Sequence, residues 1–475
     1  KIIGGDEFYE KVFGIYPQII SCKKEMMWMV WDIFKRRFSK NANLNKLIIT
    51  YVPNRVELLG KHTDYQGGET FLLTGPRNFF AISAVSGDGL TELVNAEPEY
   101  GETIFIIREN GEVDVKREGE GSTYAITVAK RLSSNLRQVG LDPPKNIKSV
   151  FIGDIPFGGG TSGSSAKVIM DFLALAGANG LLEDRDFKNL IIENGRKAGI
   201  KLGQEGIDDF TLCLSMYLAH YENGLNFGDL KGDRGVGTFG GSEDHTAIFL
   251  GNQDKLLYCR YCSTEVLEQV DGWEEYIVVV GYSGKKAEKT KNALEKYNRL
   301  SIDAARAVKA LNEVNKTNYL MLRDFYMDIP LEKRAEKAYE QLKSRDERLA
   351  RRAYQFFKEC YLTYRAVESV KCKDAEEYGK IINLSHDLSR DYLENIVPEI
   401  DFLKGSAFGL GAMGATGFGA GFGGSCYALI EKSRAEKFIE EWKDVYLKKY
   451  PEYSDIAQFD IYPPCRGCFW LQTYY

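Results

Sequence analysis

Runs and alternations of apolar side chains mark the first half of the chain as a mixture of strands and helices. β-Branched and aromatic runs at residues 47–52, 79–85 and 103–108 predict strands, and the apolar run at 150–155 predicts another. Residues 124–139 read as a helix that stops at Gly140, and 168–176 and 210–221 read as further helices. After an apolar strand at 276–280 the pattern turns strongly helical. Ala353, Phe356, Phe357, Cys360, Tyr361, Tyr364 and Val367 recur at three- and four-residue steps, which predicts one buried helical face made for core packing. A Gly-rich loop, a strand at 427–430 and a helix at 435–447 follow. No repeat and no Pro/Ser-rich linker interrupts the chain. The change of pattern predicts two domains, 1–270 and 271–475.

Composition narrows the classes of function. With 475 residues, 44% hydrophobic and 27% charged, the chain is an ordinary globular protein rather than a disordered one. Lys plus Arg is 62 against 68 for Asp plus Glu, and this mild acidity argues against a nucleic-acid-binding face. The nine cysteines are scattered, and the one close pair, Cys465 and Cys468, has no second pair or histidine to make a zinc site. No apolar run approaches the ~18 residues of a membrane span. Asp6, Glu7, Glu10 and Lys11 do not suit a signal peptide. A cytoplasmic protein, monomeric and without nucleic-acid or membrane partners, is the expectation.

Glycine, 47 of 475, exceeds its average of ~7% and is clustered. Residues 156–166 read Pro-Phe-Gly-Gly-Gly-Thr-Ser-Gly-Ser-Ser-Ala between a strand and a helix. Glycines let backbone approach a bulky anion, and the amides that open the following helix favour a phosphate. Ser162, Ser164 and Ser165 add hydroxyls for hydrogen bonds or a cation. The Gly-Lys-Ser/Thr ending of the common phosphate loop is absent, and a flexible turn with a serine cap is the alternative. A second cluster, Gly-Phe-Gly-Ala-Gly-Phe-Gly-Gly-Ser at 417–425, suits close packing on another backbone, close approach to a ligand, or both. Arg55, Lys61, His62 and Asp64 crowd the segment 53–68, a mixture of donors and acceptors that suits a neutral sugar. Only four histidines exist, and His62 and His245 both lie in polar, Gly-flanked segments. In Gly240-Gly241-Ser242-Glu243-Asp244-His245 only one of the adjacent carboxylates is expected to point inward.

Three of these segments, in this order, resemble the galactokinase branch of the GHMP small-molecule kinases. The first motif appears as Asn54-Arg55-Val56-Glu57-Leu58-Leu59-Gly60-Lys61-His62-Thr63-Asp64-Tyr65-Gln66-Gly67-Gly68. The second, Pro-x-Gly-x-Gly-Leu-Ser-Ser-Ser, is matched from Pro156 to Ser164 with Thr161 and Gly163 as departures, and the third at residues 419–424. Ser385-His386-x-Leu388-x-Arg390-Asp391, Pro398-Glu399-Ile400-Asp401 and Tyr297-Asn298-Arg299 are weaker echoes. The resemblance covers residues 47–430.

It implies an α+β, two-domain GHMP kinase fold with the active site between the domains. It implies an ATP- and Mg2+-dependent phosphotransferase acting on the anomeric hydroxyl of galactose or a close relative. Asp244 matches the proton-accepting aspartate, and Arg55 the arginine that keeps it ionised and stabilises the moving phosphoryl group. Pro156, Gly158, Gly159, Gly160, Thr161, Ser162, Gly163, Ser164 and Ser165 match the ATP loop. Ser164 matches the magnesium serine, and Glu222 is the best match for the magnesium glutamate. His62, Asp64 and Tyr297 match sugar-contacting positions, as does Lys61. Lysine there replaces a glutamate that accepts a hydrogen bond from the sugar's 6-hydroxyl. Either Lys61 turns away to pair with Glu57 or Glu69, or it meets a 6-carboxylate and the substrate is galacturonate or a similar uronic acid. Some relatives are non-catalytic regulators that respond to sugar and ATP. Retention of Arg55, Ser164 and Asp244 favours catalysis.

Overall fold

The computed structural model describes residues 5–237, 240–287 and 291–473. Eight strands come first: β1 (Leu47–Leu59), β2 (Glu69–Val85), β3 (Thr91–Asn95), β4 (Glu102–Ile107), β5 (Val113–Arg117), β6 (Ile147–Gly153), β7 (Lys255–Arg260) and β8 (Glu265–Asp271). They form the first sheet, antiparallel except for the β3–β6 pair. β9 (Tyr276–Tyr282), β10 (Gly414–Gly417), β11 (Ser425–Glu431) and β12 (Gln458–Tyr462) form a second sheet in the order β10-β11-β9-β12. β13 (Phe469–Thr473) then returns to the first sheet and pairs with β1. β13 therefore lies in the first sheet although it begins at Phe469, well past residue 270.

Strand β1 lacks the polar alternation of a half-exposed strand because both faces of the sheet are covered. Leu47, Ile49 and Tyr51 face α1 (Asp6–Phe13) and α2 (Pro17–Phe38). Ile48 and Val52 face the opposite layer, α3 (Ser122–Gln138), α4 (Gly163–Ala178), α5 (Arg185–Lys197), α6 (Asp209–Asn223) and α7 (Glu243–Leu250). Ile20, Met27, Val30, Phe34 and Phe38 recur at helical spacing and are the buried side of α2.

The second half adds α8 (Lys291–Asn315), α9 (Arg334–Leu342), α10 (Glu347–Lys371), α11 (Ala375–Leu388), α12 (Pro398–Gly409) and α13 (Ala435–Lys449). Ile277, Val279, Cys426 and Ala428 of the second sheet pack on α12 and α13. The alternate residues Val278, Val280, Tyr427 and Leu429 share a core with Val56, Leu58 and Leu73 of the β1–β2 hairpin. This shared core locks the two sheets together at the hairpin's far end, where the polar segment 53–68 begins. The face predicted along α10 is buried at Ala353, Phe356, Phe357, Cys360 and Val367, but Tyr364 is 43% exposed and Tyr361 only half-buried. Partway along, α10 leaves the cluster it makes with α8 and α9 and turns Leu362, Ala366 and Val370 onto α11 and the second sheet.

Candidate active site

The site starts on β1, whose pairing with β2 slips between Pro53 and Arg55 and again between Glu57 and Leu59. Such irregularities re-aim side chains that a regular strand would keep alternating. Arg55 is only 4% exposed. Its Nη2 stands 2.6 Å from Asp244 Oδ1 and also donates to Glu243, and its Nη1 donates to the carbonyl of Gly160 at 3.4 Å. Both adjacent carboxylates thus point inward, where one was expected. They occupy the first turn of α7, which begins beside the guanidinium. Burial works against the charge of Arg55, but Asp244 and Glu243 hold it on. Burial, then the charge of Glu57, pushes Glu243 well above the usual carboxylate range, so Glu243 keeps its proton and Arg55–Asp244 is the charged pair.

Burial also pushes Glu57 up to about 7, although the backbone amide of Gly419 donates to its Oε2 at 2.8 Å. An acid that binds its proton more tightly folded than unfolded makes the fold less stable as pH rises through that window, here from ~4.5 to about 7. Glu57→Gln is therefore expected to raise Tm by ~1–3 °C at pH 8.5 and to change little at pH 4.5. Thermal melts at both pH values check this, and equal shifts at the two would remove the ionisation of Glu57 as the cause.

The loop at 156–166 forms a tight turn onto α4, with Gly158 at φ 69°, Gly160 at φ 72° and the non-glycine Ser162 at φ 65°. Backbone in that region costs about 1–3 kcal/mol for a residue with a side chain, which the surrounding structure must impose. Thr161 Oγ1 and Ser162 Oγ are buried with no protein partner, beside the amides that open α4. Orphaned hydroxyls at a helix start fit an anion with several acceptor oxygens. The second glycine cluster packs backbone on backbone against this loop. A Cβ on Gly419 would lie 2.5 Å from the carbonyl oxygen of Gly160, and Ser425 Oγ donates to the carbonyl of Gly159 at 2.6 Å.

The remaining segment of the motif, 60–68, is held by α10. Glu359 accepts from the amides of Gly60 and Lys61 at 3.0 and 3.3 Å, Gln355 donates to the carbonyl of Lys61 at 2.9 Å, and Arg352 to that of His62 at 2.6 Å. This grip keeps His62 at φ 58°. Burial, then the charge of Arg352, lowers the His62 pKa to about 3, so its ring is neutral. Burial raises Asp64 to about 6. Asp64 Oδ2 accepts from the amide of Glu243 at 3.3 Å, which ties the motif to α7. The ring of Tyr297, on α8, lies 5.7 Å from that of His62. Lys61 does neither of the two things expected of it. It is 2% exposed, and its Nζ donates to Ser385 Oγ at 3.0 Å and Thr416 Oγ1 at 2.5 Å rather than to Glu57 or Glu69, off the lining of the cavity but within the field of Glu359 and Glu57.

Arg55, His62, Asp64, the 156–165 loop apart from the buried Thr161, Glu222, Asp244 and Tyr297 line one cavity of about 1290 Å³. The segment 365–448 matches the family of GHMP kinases C terminal. A galactokinase of Clostridium tetani is 26% identical over 87% of this chain and 92% of its own length. One of Limosilactobacillus reuteri is 27% identical over 84% of this chain and 90% of its own. These matches support a place in the galactokinase branch of the GHMP kinases. The chain is a phosphotransferase of the sugar-kinase type. The fold agrees. The crystal structure of Lactococcus lactis galactokinase with galactose superposes with a TM-score of 0.71 at 22% identity, covering 93% of this chain and 99% of that one. The Methanococcus jannaschii mevalonate kinase gives 0.53 at 14% identity over 88% and 98%.

The cavity has a donor set that suits a divalent cation. Ser165 Oγ donates to Glu222 Oε2 at 2.6 Å and lies 3.2 Å from Asp244 Oδ2. A hydroxyl and two carboxylates are hard oxygen ligands of the kind Mg2+ takes, with substrate phosphates completing its shell. Ser165 Oγ stands at these acids, and Ser164, given that role by the resemblance, lines the same cavity one residue earlier. Sequence reasoning also missed Glu57 and Glu243 beside Arg55, and the trio Arg352, Gln355 and Glu359. Helical spacing on an otherwise aromatic helix was the available signal for that trio.

Proposed function

We propose that this protein transfers the γ-phosphoryl group of ATP to the anomeric hydroxyl of galactose or a close relative. The observation that carries this reading is the buried Arg55–Asp244 pair, 2.6 Å apart, whose arginine also reaches the Gly160 carbonyl of the glycine loop. One carboxylate is thereby held beside one cation at the loop where phosphate would lie. Asp244, kept ionised by Arg55, accepts the proton of the sugar hydroxyl. The hydroxyl oxygen forms its bond to the γ-phosphorus as the bond from that phosphorus to the bridging oxygen breaks and ADP leaves. Arg55 stabilises the charge on the phosphoryl group in flight. Thr161, Ser162 and the amides opening α4 hold the ATP phosphates. Ser165 and Glu222 are the residues to hold magnesium, which neutralises phosphate charge when bound. His62, Asp64 and Tyr297 are positioned to hold the sugar.

The neutral hexose is favoured over the uronic acid because the Lys61 ammonium is spent on Ser385 and Thr416. Lys61→Glu would set a second buried carboxylate near Glu359, and is expected to destabilise the fold by about 3–5 kcal/mol. The ratio of kcat/KM for galacturonate over galactose should stay within about threefold. A tenfold shift toward galactose would reinstate the uronic-acid reading. The proposal as a whole is tested by supplying ATP, Mg2+ and a panel of hexoses and uronic acids, with ADP release coupled to a dye and the product weighed by mass spectrometry. A sugar 1-phosphate is expected. ATP and sugar binding without turnover for any sugar would make the protein a regulator instead.

A further inference from the structure

The residue after Asp244 has no role in the reaction above, yet it is the least satisfied polar group in the site. His245 is 2% exposed, and neither ring nitrogen has a hydrogen-bond partner. Buried histidines ordinarily donate one ring N–H to a carbonyl or carboxylate. Leaving such a group unpaired is costly. What lies nearest is Glu222 Oε2, 3.5 Å from His245 Nε2, and this same oxygen accepts from Ser165 Oγ, which in turn reaches Asp244 Oδ2. The imidazole also lines the cavity. Three helices converge to make this arrangement: α4 brings Ser165, α6 brings Glu222, and α7 brings Asp244 and His245.

On the reading that Ser165 and Glu222 hold the cation, we propose that His245 adds a nitrogen ligand, so that the site favours a first-row transition ion such as Mn2+ or Co2+ over Mg2+. Magnesium takes oxygen ligands at strict octahedral geometry, whereas imidazole is a good ligand for the transition ions. Among the described residues no three His, Cys, Asp or Glu side chains already stand together as a metal site. The protein therefore supplies part of the shell and nucleotide phosphates the rest, as is usual for nucleotide-bound cations. A histidine in that partial shell changes which ion is held more than how tightly any ion is held.

The test uses the full chain with Mn2+ and a methylene-bridged ATP analogue, read by electron spin echo. Modulation from a directly bound nitrogen is expected, moved to the 15N frequency when only the protein's histidines are 15N-labelled, and lost in His245→Gln. The Mg2+ concentration that displaces half the Mn2+ should fall about tenfold in His245→Gln, the preference an imidazole ligand confers. Circular dichroism confirms that the variant is folded, and the isotope shift in wild type needs no variant. Mn2+ bound with nucleotide but without a histidine nitrogen signal overturns the proposal and leaves the kinase reading standing. Mn2+ binding that survives Ser165→Ala and Glu222→Gln unchanged overturns the cation site itself, and with it the role of His245. Sugar phosphorylation in the panel above is decided independently of either result.

Discussion

Asp244→Asn should lower kcat by roughly 10²-fold or more, the usual worth of a positioned proton acceptor. Asparagine keeps the size of the side chain and one oxygen for Arg55, so the change removes charge and basicity with little disturbance of packing. Its neighbour complicates the outcome in a checkable way. The charge of Asp244 is among the causes that keep the proton on Glu243, and Glu243 also pairs with Arg55. In the single variant Glu243 loses a like charge, retains the guanidinium, and becomes the nearer base. The residual rate should therefore fall again in the double variant Glu243→Gln/Asp244→Asn, while Glu243→Gln alone should be the mildest of the three. Steady-state kinetics at saturating sugar decide the order. Near wild-type kcat in Asp244→Asn would remove the assigned role, and identical rates in the single and double variants would remove the substitution by Glu243.

A single methyl group is expected to be nearly as damaging at Gly241. A Cβ there would lie 1.8 Å from Asp64 Oδ2 and 2.3 Å from its Cγ. Asp64 has little room to yield. It is 5% exposed, and its carboxylate is anchored by the amides of Tyr65 and Glu243. Either the carboxylate leaves the sugar end of the cavity or the start of α7 moves, and α7 carries Asp244. Displacement of reacting groups by about 1 Å is enough for losses near 10²-fold. Gly241→Ala should therefore cut kcat/KM by about that factor and lower Tm. A fall in Tm with kinetics unchanged in the folded protein would show that the methyl is absorbed elsewhere.

Much of the frame could be read in the sequence because it depends on neighbours along the chain. The strand–glycine–helix order around 156–166 and the strand leading into 53–68 are local patterns, and both are where expected. What escaped was set by distant partners. Lys61 looked like a surface lysine or a substrate contact. Its true partners, Ser385 and Thr416, are more than 300 positions away, and burial there lowers its pKa. Glu243 looked like the spare member of an acidic pair until the irregular β1 brought Arg55 beneath both carboxylates. Tyr364 kept the helical spacing of a buried face, but α10 changes neighbours partway along. The return of β13 to the first sheet was hidden because a short strand pairs by register with a partner that nothing near it in the chain reveals.

The contact between the two glycine clusters bears on when this protein can first work. Ser425 and Gly159, joined by a hydrogen bond, are 266 residues apart, so the later of the two is synthesised long after the loop it supports. A nascent chain that ends before Ser425 has every side chain proposed here for catalysis and sugar binding, Tyr297 included, yet its phosphate loop lacks this backing. Closure over so long a span comes late in folding because chain entropy must be overcome first. Nucleotide therefore distinguishes finished molecules from unfinished ones. Protection of the loop from proteolysis by ATP should arise in a single step, at the point where the last glycines arrive.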